Sequence, residues 1–191
     1  MIKFFFVGGA SGSGKTAIVT GLKNLFVDDM EVYDFDDIGV PEGADKKWRQ
    51  EATEKWLQKI LRNNKNTCLL GQIVLGEILA CPSAQKIDAF NFYFLDVSDY
   101  ERIQRLKKRN SYVDQNMLNW SSWLRIHHRD PQWTQNVIKD GAWDGLNFSV
   151  WDQLKSWDEK ARVDFLNTTD YSIEEVTKKV SQWIKGITLL K

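Results

Sequence analysis

Residues Gly9-Ala10-Ser11-Gly12-Ser13-Gly14-Lys15-Thr16 satisfy the pattern G-x-x-x-x-G-K-[ST] at every defined position. The pattern has meaning only as a loop between a strand and a helix, and both flanks comply. Ile2 to Val7 is an apolar, aromatic run of strand length, suited to burial on both faces. From Lys15 to Phe26, the residues Ile18, Leu22, Leu25 and Phe26 recur at helical spacing. Glycines at 9, 12 and 14 let main-chain N–H groups crowd around phosphate oxygens, and the positive end of the following helix adds to the field. Lys15 can reach the outer phosphates, and the Thr16 hydroxyl suits a magnesium ion bridging them. The overlapping Gly12-x-Gly14-x-x-Ala17 imitates a dinucleotide fingerprint, but that pattern has no use for Gly9 or for the adjacent Lys15 and Thr16.

Downstream, strand-like and helix-like stretches alternate, which points to a parallel α/β sheet. Met30 to Phe35 predicts a second strand closed by Asp34, Asp36 and Asp37; ligands of such sheets sit beyond the carboxyl ends of the strands, so these acids are expected beside the glycine loop. Gly39, Pro41 and Gly43 impose a loop before a helix from about Ala44 to Arg62, with Trp48, Ala52, Trp56 and Ile60 on one stripe. Thr67 to Leu70 predicts a third strand ending at Gly71 and Gln72, and Ile73 to Ala80 is ambiguous by period. Ala89 to Leu95 predicts a fourth strand closed by Asp96, Ser98 and Asp99 cap a helix through Arg109, and Arg162 to Leu166 predicts a fifth strand. A last amphipathic helix, Ser172 to Lys185, opens on the capping box Ser172-x-x-Glu175. The expected architecture is one domain over residues 1–191, a three-layer α/β sandwich of about five parallel strands with helices on both faces. Between about 110 and 160, Trp120, Trp123, Trp133, Trp143, Trp151 and Trp157 stand among polar residues, and this stretch reads as an inserted helical cap or lid.

A chain of 191 residues that is 42% hydrophobic can build a substantial core. With zero formal net charge and Lys107-Lys108-Arg109 as its densest basic cluster, no nucleic acid footprint is expected. Cys68 and Cys81 lack metal-site spacing and read as buried thiols. The first residues form no long apolar leader and nowhere do eighteen apolar residues run together, so no membrane partner and a cytoplasmic location are expected.

Strand, glycine loop, acid-ended second strand, and then Leu95-Asp96-Val97-Ser98 leading to Arg102, Arg105, Leu106 and Arg109 together resemble the P-loop small-molecule kinases, the group of shikimate, gluconate and adenylate kinases. The resemblance covers most of the chain outside 110–160 and implies an ATP- and magnesium-dependent phosphotransferase acting on a small metabolite or a nucleoside- or nucleotide-like acceptor. It implies that Asp34 supports the metal through water and that Asp36 takes a hydrogen bond or proton from the acceptor hydroxyl, which in-line phosphoryl transfer requires. It further implies that the loop Thr168 to Tyr171, Thr169 among it, lies near the nucleotide base. Arg105 and Arg109, one helical turn apart, are expected to offer guanidinium forks to phosphate from a lid helix, whereas Arg102 reads as part of a solvated basic face. The acceptor-binding segments of adenylate and shikimate kinases are missing, which leaves the acceptor undecided; Gln72 can read a base or hydroxyl at the strand end and Arg49 can meet an anionic substrate, the alternative for each being an ordinary surface residue.

Other motifs fail on their own terms. Asp36-x-x-Gly39 imitates a GTPase switch, but Asn64-Lys65-Asn66-Thr67 lacks the acid of the guanine-reading motif. His128-Arg129-Asp130 imitates a protein-kinase loop, with Gln135 where its metal-binding Asn belongs. His127 and His128 diverge by about 100° on a helix and cannot share a metal. The competing class of function is a non-catalytic ATP-binding switch or ATPase whose Trp-rich region binds a protein partner.

Overall fold

The computed structural model describes residues 2–189. Five parallel strands in the order β2-β3-β1-β4-β5 form one sheet: β1 Phe4–Gly8, β2 Glu31–Asp34, β3 Thr67–Leu70, β4 Phe90–Asp96 and β5 Ala161–Asn167. The central strand β1 is buried along its whole length, as its uninterrupted apolar run requires. Its alternate side chains feed two cores. Phe5 and Val7 meet α1 (Lys15–Leu25) and α7 (Ile173–Leu189) through Ile18, Leu22, Val180 and Ile184. Phe4 and Phe6 face the opposite layer, where α2 (Lys46–Asn63) and α3 (Leu75–Ala80) bring Trp56, Leu57, Leu75 and Ile78. Every residue of α3 is buried, which is why its sequence shows no amphipathic period.

The helix ends follow the expected chemistry. Asp45 accepts from the Trp48 N–H at the start of α2, and the Ser98 hydroxyl accepts from the Glu101 N–H at the start of α4 (Asp99–Lys108). Ser172 and Glu175 exchange side-chain and backbone hydrogen bonds of 2.8 and 3.2 Å ahead of α7.

The tryptophan-rich stretch contains α5 (Gln115–His127) and the short α6 (Asn136–Lys139). Trp123, Trp151 and Trp157 are buried in the core on the α2–α3 side. Their indole N–H groups donate to the carbonyls of Thr134, Gly76 and His127. His127 and His128 are buried with them, the ring of His128 lying between Phe92 and Phe94 at 4.6 Å from each. Their Nε2 atoms accept from the backbone N–H groups of Gly76 and Leu75, so the pair caps the first turn of α3 as neutral imidazoles. Burial pushes both down, His128 to about 4 and His127 well below its ordinary value.

Candidate active site

The carboxyl ends of β1, β2, β3 and β4 gather the glycine loop, the acid-rich turn after β2 and the Gly71-Gln72 bend on one edge. Gly12 has φ 82°, and a Cβ there would stand 3.1 Å from Cγ of Arg102, so the loop needs glycine for its backbone angle and for its neighbour. Gly14, at φ 101°, occupies the N-cap of α1 and offers no side chain to it, leaving the first N–H groups of the helix open to an anion. Lys15 is buried, with Nζ 2.9 Å from the Ala10 carbonyl and 3.4 Å from the Ser13 hydroxyl. Burial, reinforced by the charge of Arg102 and opposed by Asp34 and Asp36, lowers it to about 7. A hollow of about 240 Å³ lies over this loop, bordered by Lys15, Thr16, Asp34, Asp36, Gln72 and Arg109.

The second strand hands its acids over with a division of labour. Asp34, nearly buried, caps a 3-10 turn at Phe35–Ile38: its carboxylate accepts from the Asp36 N–H at 3.1 Å, while Asp37 accepts from the Asp34 N–H at 3.2 Å. That turn presents Asp36 at the rim with its carboxylate open to the cleft. Partial burial, and then the neighbouring Asp34, raises the Asp36 carboxyl above its ordinary value. Among the described residues, no group of three or more His, Cys, Asp or Glu could hold a metal ion by itself. Thr16 and Asp34, which border one hollow, instead supply one hydroxyl and one carboxylate, the donors expected of a magnesium ion that keeps its waters and takes phosphate oxygens.

The arginines of α4 depart from expectation. Arg102, read as a solvated residue, is buried: Nη1 donates to the Ser11 carbonyl at 2.5 Å, and Nη2 to Asp96 Oδ1 at 3.3 Å and the Val97 carbonyl at 3.2 Å. Asp96 is in turn gripped by Arg125 of α5, with Nε 2.5 Å from Oδ2 and Nη2 3.2 Å from Oδ1. The glycine loop is thus braced from beneath by an Arg-Asp-Arg chain. The signal for Arg102 was its i,i+4 spacing to Leu106, since these two are the buried residues of α4. Arg105, expected to reach phosphate, makes five hydrogen bonds within the protein, to Glu101, the Gly12 carbonyl, the Thr168 hydroxyl and the carbonyls of Thr168 and Thr169. All its donors are engaged, so it ties the glycine loop to the loop after β5. Arg109, at the C-cap of α4, is exposed and borders the hollow over the glycine loop.

The loop after β5 also differs in detail. The Thr169 hydroxyl bonds Asn167 and the Ser98 N–H and turns from the cleft. Thr168, fully buried, bonds the Ser13 carbonyl at 3.1 Å. A second hollow of about 330 Å³ is instead lined by Tyr171, Ile173, Ala17, Arg105 and Arg109. On the other side, beyond Asp36 and Gln72, a third hollow of about 290 Å³ is walled by Phe35, Trp48 and Arg49. Arg49 is paired with the buried Glu77, and the ring of Trp120 lies 5.1 Å from its guanidinium carbon.

No protein-family model matches the chain, and no curated protein does. Solved structures do match in fold. A sugar kinase from Janibacter sp. HTCC2649, solved without ligand, superposes with TM-score 0.57 at 14% identity over 97% of this chain and 95% of its own. Thymidylate kinase from Candida albicans gives 0.58 at 12% identity over 98% and 92%. Shikimate kinase from Acinetobacter baumannii in complex with shikimate gives 0.53 at 17% identity over 100% and 97%. The chain has the fold of the P-loop small-molecule kinases. Among the described residues no helix is long and apolar enough to cross a membrane.

Proposed function

We propose that this protein is an ATP-dependent phosphotransferase acting on the hydroxyl of a small acceptor. The observation that carries the reading is the position of Asp36: it borders both the hollow over the glycine loop and the hollow walled by Trp48, so a hydroxyl beside it stands between donor and acceptor sites. The triphosphate occupies the glycine loop, with Lys15 and Arg109 balancing the charge of the migrating group, and the base lodges near Tyr171 and Ile173. Residues 110–160 act as the cap and reach the acceptor side only indirectly, through Trp120 packed on Arg49. Thr16, with Asp34 in support, would hold a magnesium ion, which would supply charge neutralisation of the phosphates. The acceptor oxygen bonds to the γ-phosphorus as the bond to the bridging oxygen breaks; ADP leaves with that electron pair, and the hydroxyl proton passes to Asp36 and on to water. The sugar and shikimate kinases of like fold agree with this reaction class.

Asp36→Asn keeps the shape and removes the charge. Acceptor-stimulated ADP release should fall ~100-fold or more, the contribution typical of a positioned acid or base, while calorimetric ATP affinity stays within a few-fold. Undiminished acceptor phosphorylation by the variant would sink the catalytic role. The alternative, a nucleotide switch with a tryptophan-rich docking region, draws on the exposed Trp133, whereas Trp123, Trp151 and Trp157 face inward.

A further inference from the structure

We infer that the acceptor is an uncharged, hydroxyl-rich molecule with one flat apolar face, and that the cleft refuses acceptors bearing phosphate or carboxylate; this rests on the phosphotransferase reading. The acceptor hollow has two cations on its border, and both are committed elsewhere. Lys46 donates Nζ to the carbonyls of Val137, at 3.2 Å, and Asp140. Arg49 holds Glu77 in a fork, Nε to Oε2 at 3.1 Å and Nη2 to Oε1 at 2.5 Å. Glu77 is fully buried and takes a further 2.8 Å hydrogen bond from Gln50, so it depends on Arg49 for its counter-charge. An anionic acceptor that drew Arg49 to itself would strand Glu77 as an uncompensated buried carboxylate. Trp120, stacked over the guanidinium, holds it further in place.

What faces the hollow is of the opposite character. Asp36 and Asp45 are carboxylates that accept hydrogen bonds from hydroxyls and repel anions. Gln72 can donate and accept. Trp48 is half-buried and meets Phe35 edge to face at 6.3 Å, giving an apolar wall of the kind a flat ring or a row of C–H groups covers. Selection against charge here is built from like-charge repulsion and from a cation already spent on a buried partner.

The test uses the intact chain with ATP and magnesium and matched acceptor pairs differing in one charged group, such as hexoses with their uronic acids and nucleosides with their monophosphates. ADP release is followed together with the mass of the phosphorylated product. The expected result is a pair whose uncharged member is preferred by ~100-fold or more in kcat/KM. A preference for a charged member overturns this inference and leaves the phosphotransferase reading standing; ATP binding with no member of any pair phosphorylated overturns both. Glu77→Gln releases Arg49 without changing shape. In that variant, shown folded by circular dichroism, the preference should shrink ~10-fold, and an unchanged ratio would show that Arg49 is not what excludes anions.

Discussion

Lys15 is the residue where burial and function conflict most openly. A lysine lowered to about 7 is half-neutral at neutral pH, and phosphate oxygens around it would restore its charge. Binding ATP at pH 8 should therefore take up close to one proton, read from calorimetric titrations in buffers of different ionisation enthalpy, and Lys15→Ala should lose that uptake together with most of its affinity. Proton uptake unchanged in Lys15→Ala would remove Lys15 from the phosphate site. The same lowering has a stability sign: between pH 7 and the ordinary lysine value the unfolded chain binds more protons, so this group's contribution improves as pH rises through that window. At Thr16, the conservative Thr16→Val removes the hydroxyl at almost constant shape. The magnesium concentration for half-maximal activity should rise several-fold in Thr16→Val and less in Asp34→Asn; identical magnesium dependence in all three proteins would put the metal elsewhere.

At the level of elements, α4 serves chiefly as a brace. Arg102 joins its middle to the Ser11 carbonyl, and Arg125 of α5 completes the support through Asp96. Arg102→Met keeps much of the bulk and leaves the Ser11 carbonyl without that donor. The variant should lose about 1–3 kcal/mol of stability in urea unfolding and about tenfold in ATP affinity; lost stability with unaltered ATP affinity would reduce Arg102 to a packing residue. This brace marks the boundary of what the sequence discloses. The glycine loop, the strand at Thr67–Leu70 and the capping box at Ser172 were legible because each is a local pattern with a local cause. The burial of Arg102, the engagement of every Arg105 donor and the turning away of Thr169 depend on partners up to 93 residues distant, which no window along the chain contains. The identity of Ile73 to Ala80 was hidden for another reason: a segment buried all round leaves no period to read.

For the molecule as a whole, the two sides of the sheet respond differently to their surroundings. The α2–α3 side carries buried His127 and His128, whose folded forms resist protonation, so the unfolded chain binds more protons once the pH falls below about 6.5, and this contribution erodes until the folded pKa near 4 is reached. For His128 the loss between pH 7 and pH 5 is about 2 kcal/mol by linkage. Urea unfolding of wild type and His128→Leu at the two pH values checks it: the variant's stability should change less with pH, and parallel curves would show that His128 is not the sensor. The same asymmetry divides the indoles. Trp48, Trp56, Trp120, Trp123, Trp151 and Trp157 all belong to the α2–α3 side, whereas Trp183 packs on the α1–α7 side, stacked on Tyr93 at 4.7 Å and bonded to Asp164 at 2.8 Å. Intrinsic fluorescence is consequently a lopsided reporter. Its total signal follows loosening of the layer beside the hollow walled by Trp48, and events confined to the layer of α1 and α7 reach the detector mainly through one ring.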